Sequence, residues 1–181
     1  MNQKTATKLF GLLGLLMLLS CGYADRHRNS SLCEQALVDS LEVRVQDSLF
    51  SNVHYSRSQL LEALTQTQDS LVYYRLLALY GKTFFVSSDF DSILYYNRRV
   101  KEFSRNASQS SESLQSPRWN DVLSDVYNIE GNVWMQLNRP DSAIIDYKKA
   151  YGYRLEGKKL HLLPDICINI ADAYLHRSDL A

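Results

Sequence analysis

From position 31 onward apolar residues recur at three- and four-residue steps, as in "SLCEQALVDSLEVRV", where Leu37, Leu41 and Val45 share one stripe. That spacing places side chains on one face of an α-helix. It predicts helices over about 31–50, 54–66, 69–87, 89–106, 117–137, 139–156 and 160–177. No segment joins period-two alternation to Gly-rich hairpin turns, so no strands are expected and the fold class is all-α. One polar interval interrupts the pattern. "NASQSSESLQSP", 106–117, has Ala107 and Leu114 as its sole apolar residues and reads as a Ser-rich connector over 107–116. At the other extreme, Leu9–Leu19 is a nearly unbroken apolar run preceded by Lys4 and Lys8. It is short for a permanent bilayer span and suits the core of a signal peptide. The predicted organisation is a signal peptide over 1–20, a tether over 21–30 and an N-terminal helical hairpin over 31–66. A second hairpin over 67–106, the connector and a pair of hairpins over 117–181, the last incomplete, complete it.

The hairpins repeat. With Gly81 laid over Gly131, Leu77 meets Tyr127, Phe84 meets Trp134, Asp91-Ser92 meets Asp141-Ser142, Ile93 meets Ala143 and Val100 meets Ala150. Small residues at Gly131, Ala143 and Ala150 alternate with bulky ones at Tyr127, Trp134 and Tyr147. Two antiparallel helices that cross closely need this arrangement, a small side chain facing a large one. The spacing Tyr127-x2-Glu130-Gly131-x2-Trp134, followed by Ala143-x3-Tyr147 and Ala150, resembles the tetratricopeptide repeat (TPR). A third copy starts at Cys167-x2-Ile170-Ala171-x2-Tyr174, and the copy around Gly81 is degenerate, with Ile93 and Val100 replacing two alanines. Glu130 stands where the repeat usually has Leu, and Leu155 where it has Pro. The resemblance implies a superhelix of stacked hairpins whose first helices line a concave groove for a peptide or partner helix. Carried onto this chain, the groove positions are Arg75, Lys82 and Phe85, then Asp125, Asn128, Asn132 and Gln136, then Asp165, Asp172 and His176. Asn128 and Asn132, amides on adjacent turns, are expected to hydrogen-bond an extended backbone.

Asp-Ser followed by an apolar residue occurs at Asp39-Ser40, Asp47-Ser48, Asp69-Ser70, Asp91-Ser92 and Asp141-Ser142. At 91 and 141 the phrase reads as helix-start grammar. Ser88 and Asn138 read as N-caps, with an acid three residues on that is close to a capping box and complements the helix dipole. Asp69-Ser70 opens a helix in a similar way, while 39–40 and 47–48 fall inside one. The phrase also resembles the O-glycosylation signal of exported Bacteroidota proteins, which implies Ser40, Ser48, Ser70, Ser92 and Ser142 as candidate sites.

Seven glycines and three prolines in 181 residues favour helices over a sheet. Leu18-Leu19-Ser20-Cys21 resembles the lipobox of bacterial lipoproteins. That resemblance implies cleavage before Cys21 and lipid on its sulfur and new amino group. Two or more acyl chains, at roughly 0.8 kcal/mol per buried methylene, anchor a protein stably. The chain is thus expected in the cell envelope, lipid-anchored and facing the periplasm. Loss of Lys4 and Lys8 leaves 18 of the 20 basic side chains against 20 acids. So balanced a charge gives no footprint for nucleic acid. Cys33 and Cys167, both in apolar helical pattern, read as small core side chains.

The sequence carries no P-loop, GxGxxG, GxSxG or HExxH, and His27, His54, His161 and His176 form no ligand-spaced cluster. Glu102, Glu112 and Glu130 lie in what reads as solvated helical pattern. No enzymatic activity, metal or cofactor is expected; the expected partner is a protein or peptide. Position 181 falls just inside the second helix of the third copy, so the stripe Leu163, Ile166, Ile170, Ala173 and Tyr174 is expected to lack its covering helix. The organisation also resembles the N-terminal repeat region of Bacteroidota TPR signalling proteins. That likeness implies a second reading, the periplasmic sensor part of a truncated histidine kinase or transcriptional regulator. A carbohydrate-binding lipoprotein of the starch-utilisation type is a third reading, disfavoured because those chains are far longer.

Overall fold

The computed structural model describes residues 36, 38–45, 47–48, 51–107 and 116–179; every regular element among them is helical, and none is a strand. The chain divides into two units, Met1–Ser40 and Leu41–Ala181. In the first, the described residues 36 and 38–40 are helical. The second begins with helical residues at 41–45 and 47–48 and continues through six helices. These are α1 (Val53–Gln66), α2 (Ser70–Lys82), α3 (Phe90–Ala107), α4 (Pro117–Gln136), α5 (Pro140–Leu155) and α6 (Leu163–Asp179). Short 3-10 turns at Thr83–Ser87 and Leu160–Leu162 follow α2 and precede α6. The predicted signal peptide (1–20), the predicted tether (21–30) and residues 108–115 of the predicted connector lie outside the described residues. Ser116, at the connector's end, belongs to α4: its side chain caps the helix by accepting from the Trp119 amide, and Pro117 fills the first turn.

Sequential helices pack as neighbours, α2 with α3, α4 with α5 and α5 with α6, while α2 and α6 each also touch α4. The reason is visible at the small residues. A Cβ added to Gly131 would sit 2.3 Å from Tyr147 Cε1, so the bare backbone of α4 is what admits the ring from α5. Ala143 and Ala150 are fully buried on the same interface, where Ser124 Oγ donates to the Ala150 carbonyl at 2.8 Å. Gly81 repeats the device against Tyr96, whose Cβ would lie 2.9 Å from an added methyl. Trp134 packs on Ala143, Ile144, Tyr147 and Ala173 and donates its indole N–H to Asp146 Oδ2 at 2.9 Å. A second core joins Leu77 and Val100 to Trp119, Val122, Leu123 and Val126, so the helices on either side of the connector share one apolar interior. Burying each such side chain stabilises the fold by roughly 1.5–3 kcal/mol.

The turns repeat at the same offset of fifty as the helices. Ser88 and Asn138 both take the left-handed conformation, at φ 52° and 56°. Asp89 N donates to the Phe84 carbonyl at 3.1 Å and Arg139 N to the Trp134 carbonyl at 2.8 Å, the 6→1 bond of a helix-ending Schellman turn. Ser88 and Asn138 therefore end one helix and do not cap the next, contrary to the sequence expectation. Asp89 takes the capping role in the first copy, accepting from Ser92 N at 3.1 Å and Ser92 Oγ at 2.7 Å. Arg139 makes no side-chain cap, and Pro140 starts α5. Asp69 does open α2, accepting from Leu71 N and Val72 N.

A second correction concerns α6. Ile166 and Ala173 are buried, and Ile170 and Tyr174 pack on the Ala143–Tyr147 cluster, so the stripe expected to lack a partner is covered by α5. The open apolar side chains of this helix are Ile168 and Leu175. Cys167 is exposed on the same helix and is a free thiol, not a core side chain; Cys33 lies outside the described residues.

Candidate functional site

Several of the predicted groove positions are engaged by other residues of the fold. Arg75, on α2, lies 3.6 Å from Glu42. Asn128 Oδ1 accepts from Asn169 Nδ2 at 3.0 Å, which ties α4 to α6, and Asn132 Oδ1 accepts from the Tyr147 hydroxyl at 2.7 Å. Asp125 accepts from Arg154. The two amides expected to meet an extended ligand thus already serve helix packing with their carbonyl oxygens. Burial pushes the Tyr147 phenol well above its ordinary value, with Asp172 adding in the same direction, so it stays a donor to Asn132. Lys82 and Phe85 are half-buried, and Gln136, Asp165, Asp172 and His176 are exposed. Of the predicted groove positions, Gln136, Asp165, Asp172 and His176 are the ones left open to a partner.

Polar residues that the apolar pattern concealed build the firmest constellation. Arg154, 1% exposed, points Nη1 at Asp121 Oδ1, 2.8 Å away. Asp121 also accepts from the backbone amides of Lys158 and Lys159 at 3.0 and 3.1 Å. A carboxylate fed by one guanidinium and two amides is well compensated despite its burial. Gly157 is required there, since its Cβ would fall 2.2 Å from Asp121 Oδ1. Lys159, at the end of this loop, pairs with Glu42, the acid that also faces Arg75. The signal was present in the run Trp119–Val126, where Asn120, Asp121 and Ser124 interleave with apolar residues; only the fold discloses that all are buried.

Glu130 corrects the reading of a solvated carboxylate. It is 3% exposed and accepts from Lys101 Nζ of α3 at 2.6 Å. Burial raises its pKa above the ordinary 4.5, and the hydrogen bond and charge of Lys101 only partly oppose the rise. Glu102 is exposed, as expected, and Glu112 lies outside the described residues. Beside Glu130 the Tyr127 ring stacks on Tyr153 at 5.7 Å, with the ammonium groups of Lys101 and Lys149 at 5.2 and 5.0 Å from its centroid. Lys149 pairs in turn with Asp146 at 2.9 Å. These alternating charges neutralise one another around the ring, so the patch holds α3, α4 and α5 together more than it invites an ion.

Of the candidate glycosylation sites, Ser40 and Ser70 are exposed. Ser48 donates to the Arg44 carbonyl and lies 2.8 Å from Ser56 Oγ, Ser92 is bound to Asp89, and Ser142 is half-buried. Cys21, the predicted lipidation site, lies outside the described residues. Among the described residues no group of three or more His, Cys, Asp or Glu is placed to hold a metal ion, and no helix is long and apolar enough to cross a membrane. No protein-family model, curated protein or solved structure matches the chain significantly.

Proposed function

We propose that this chain is a lipid-anchored, TPR-like interaction module of the bacterial cell envelope, which holds a protein or peptide against its stacked hairpins. The observation that carries the reading is the Tyr147 ring lying on Gly131, within a hairpin whose turn geometry recurs fifty residues earlier. A fold made of repeated hairpins offers extended side surfaces and few enclosed cavities, and such surfaces act through shape. The contact positions on this reading are the exposed ones, Gln136, Asp165, Asp172 and His176, while Arg75, Asn128 and Asn132 are engaged within the fold. Mixed charge there suits a polar peptide backbone flanked by both signs of side chain. The anchor rests on Cys21, whose acyl chains would keep the module at a membrane surface.

Site-specific photocrosslinking in cells tests the reading. A photoreactive residue at Gln136 is expected to capture a protein other than a second copy of this chain, and one at the exposed Gly152 on α5 is not. Equal capture at the two positions overturns the assigned face. Separately, palmitate-analogue labelling that persists in a Cys21→Ser variant overturns the anchor.

A further inference from the structure

Helix α6 has two apolar faces. The first, Ile166 and Ala173 with Ile170 and Tyr174 at its edges, is packed on α5. The second is open. Ile168 and Leu175 are 64% and 66% exposed, the highest values for large apolar side chains among the described residues, and Pro164, Cys167 and Ala171 beside them are exposed too. At 3.6 residues per turn, 164, 168, 171 and 175 form one stripe. Contiguous exposed apolar surface of this kind marks an interaction site. Its shape asks for a helix. Ala171 and Leu175 hold on α6 the places that Gly131 and Met135 hold on α4, and there Gly131 carries the Tyr147 ring from α5 while Met135 packs on the same cluster. The small side chain at 171 leaves equivalent room, open to solvent.

We infer that this face binds α6 of a second copy, antiparallel, about a two-fold axis near Ala171. The stripe is almost palindromic about that residue. Ile168 lies three positions before it and Leu175 four after, so reversing the helix lays Ile168 on Leu175 of the copy. The hydrogen-bonding flank reverses as well. Asp165 lies six positions before Ala171 and His176 five after, on one flank of the stripe, and both are exposed. A two-fold axis across antiparallel helices brings like flanks together, so the carboxylate of each copy meets the imidazole of the other. A parallel pair would set that flank against the one bearing Cys167 and Ser178, leaving Asp165 and His176 without each other as partners. Opposed helix dipoles favour the antiparallel choice too. Asp172, on the charged flank near the axis, approaches its own equivalent and limits the affinity through like-charge repulsion.

Disulfide trapping in cells reads both association and register. In the full chain carrying Cys33→Ser and Cys167→Ser, Ala171→Cys places two thiols at the axis, whereas Pro164→Cys places them about 21 Å apart along the helices at 1.5 Å per residue. Under mild oxidation Ala171→Cys is expected to yield at least fivefold more covalent homodimer on non-reducing gels than Pro164→Cys. Adding Leu175→Asp, an exposed substitution whose fold is checked by circular dichroism, should reduce the yield about tenfold, and adding Asp172→Asn should raise it. Equal yields at 171 and 164, no homodimer at either, indifference to Leu175→Asp, or an adduct of Ala171→Cys with a different protein would each overturn the inference.

Discussion

At Gly131 an added methyl would press into the Tyr147 ring, whereas at Gly152, on α5, it would meet nothing within 4 Å. Gly131→Ala is therefore expected to destabilise the chain by about 1–3 kcal/mol, since the ring has to move out of a packed interface. Gly152→Ala should stabilise it by about 0.5–1 kcal/mol through helix propensity alone. Urea denaturation followed by tryptophan fluorescence measures both. Glu130 supplies a pH signature. Because burial raises its pKa above 4.5, the folded chain binds this proton more tightly than the unfolded chain does. Its contribution to stability therefore falls as pH rises from about 4.5 through the raised value, and stays low above it. Glu130→Leu removes the buried charge and leaves Lys101 partly in solvent. Melting curves across pH 4–8 should show the variant gaining on the parent as pH climbs through that window; a constant difference would refute the assignment. The identity of Glu130 as a departure from the repeat was legible in the sequence. Its burial was not, because the apolar period around it marks a face, whereas burial on α4 extends to a second face against α3.

From α1 to α6 the helix bounds agree with the apolar period to within a few residues, while both ends of the helix expected over 31–50 lie outside the described residues. The turn geometry repeats at the offset of fifty that the sequence shows. The turns were misassigned because Ser and Asn suit two neighbouring roles, an N-cap and a left-handed C-terminal residue, and composition alone does not separate them. The left-handed conformation makes its own forecast. Ser88→Gly should stabilise the chain by up to about 1 kcal/mol, and Asn138→Gly by less because Asn tolerates this conformation. Asp89→Ala, which removes the actual cap, should cost about 0.5–2 kcal/mol. Thermal melts of the three variants decide whether Ser88 or Asp89 caps α3. Helix α6 was misread for a related reason. Ile166, Ile170, Ala173 and Tyr174 form one apolar stripe and Pro164, Ile168, Ala171 and Leu175 another, and the period cannot say which of the two a neighbour covers.

Across the whole larger unit, contacts between distant parts of the sequence were the least legible. Nothing local couples Asp121 to Arg154, or brings Lys159 to Glu42, 117 positions earlier. Of the groove positions inferred from the repeat, those left exposed could be named from the sequence, but Asn128 and Asn132 look identical there whether they face a ligand or a neighbouring helix. Their partners, Asn169 and Tyr147, become visible only once the hairpins are folded.

The bond between Glu42 and Lys159 works as a buckle. Arrays of hairpins ordinarily behave as strings of beads, each unfastening after its neighbour, so that fraying at one end is unknown to the other. A strap joining residue 42 to the loop before α6 is expected to couple the opening of those two segments. Amide hydrogen exchange should register it: Glu42→Gln is expected to quicken exchange over 41–45 and over 156–162 together, while the middle of α4 keeps its protection.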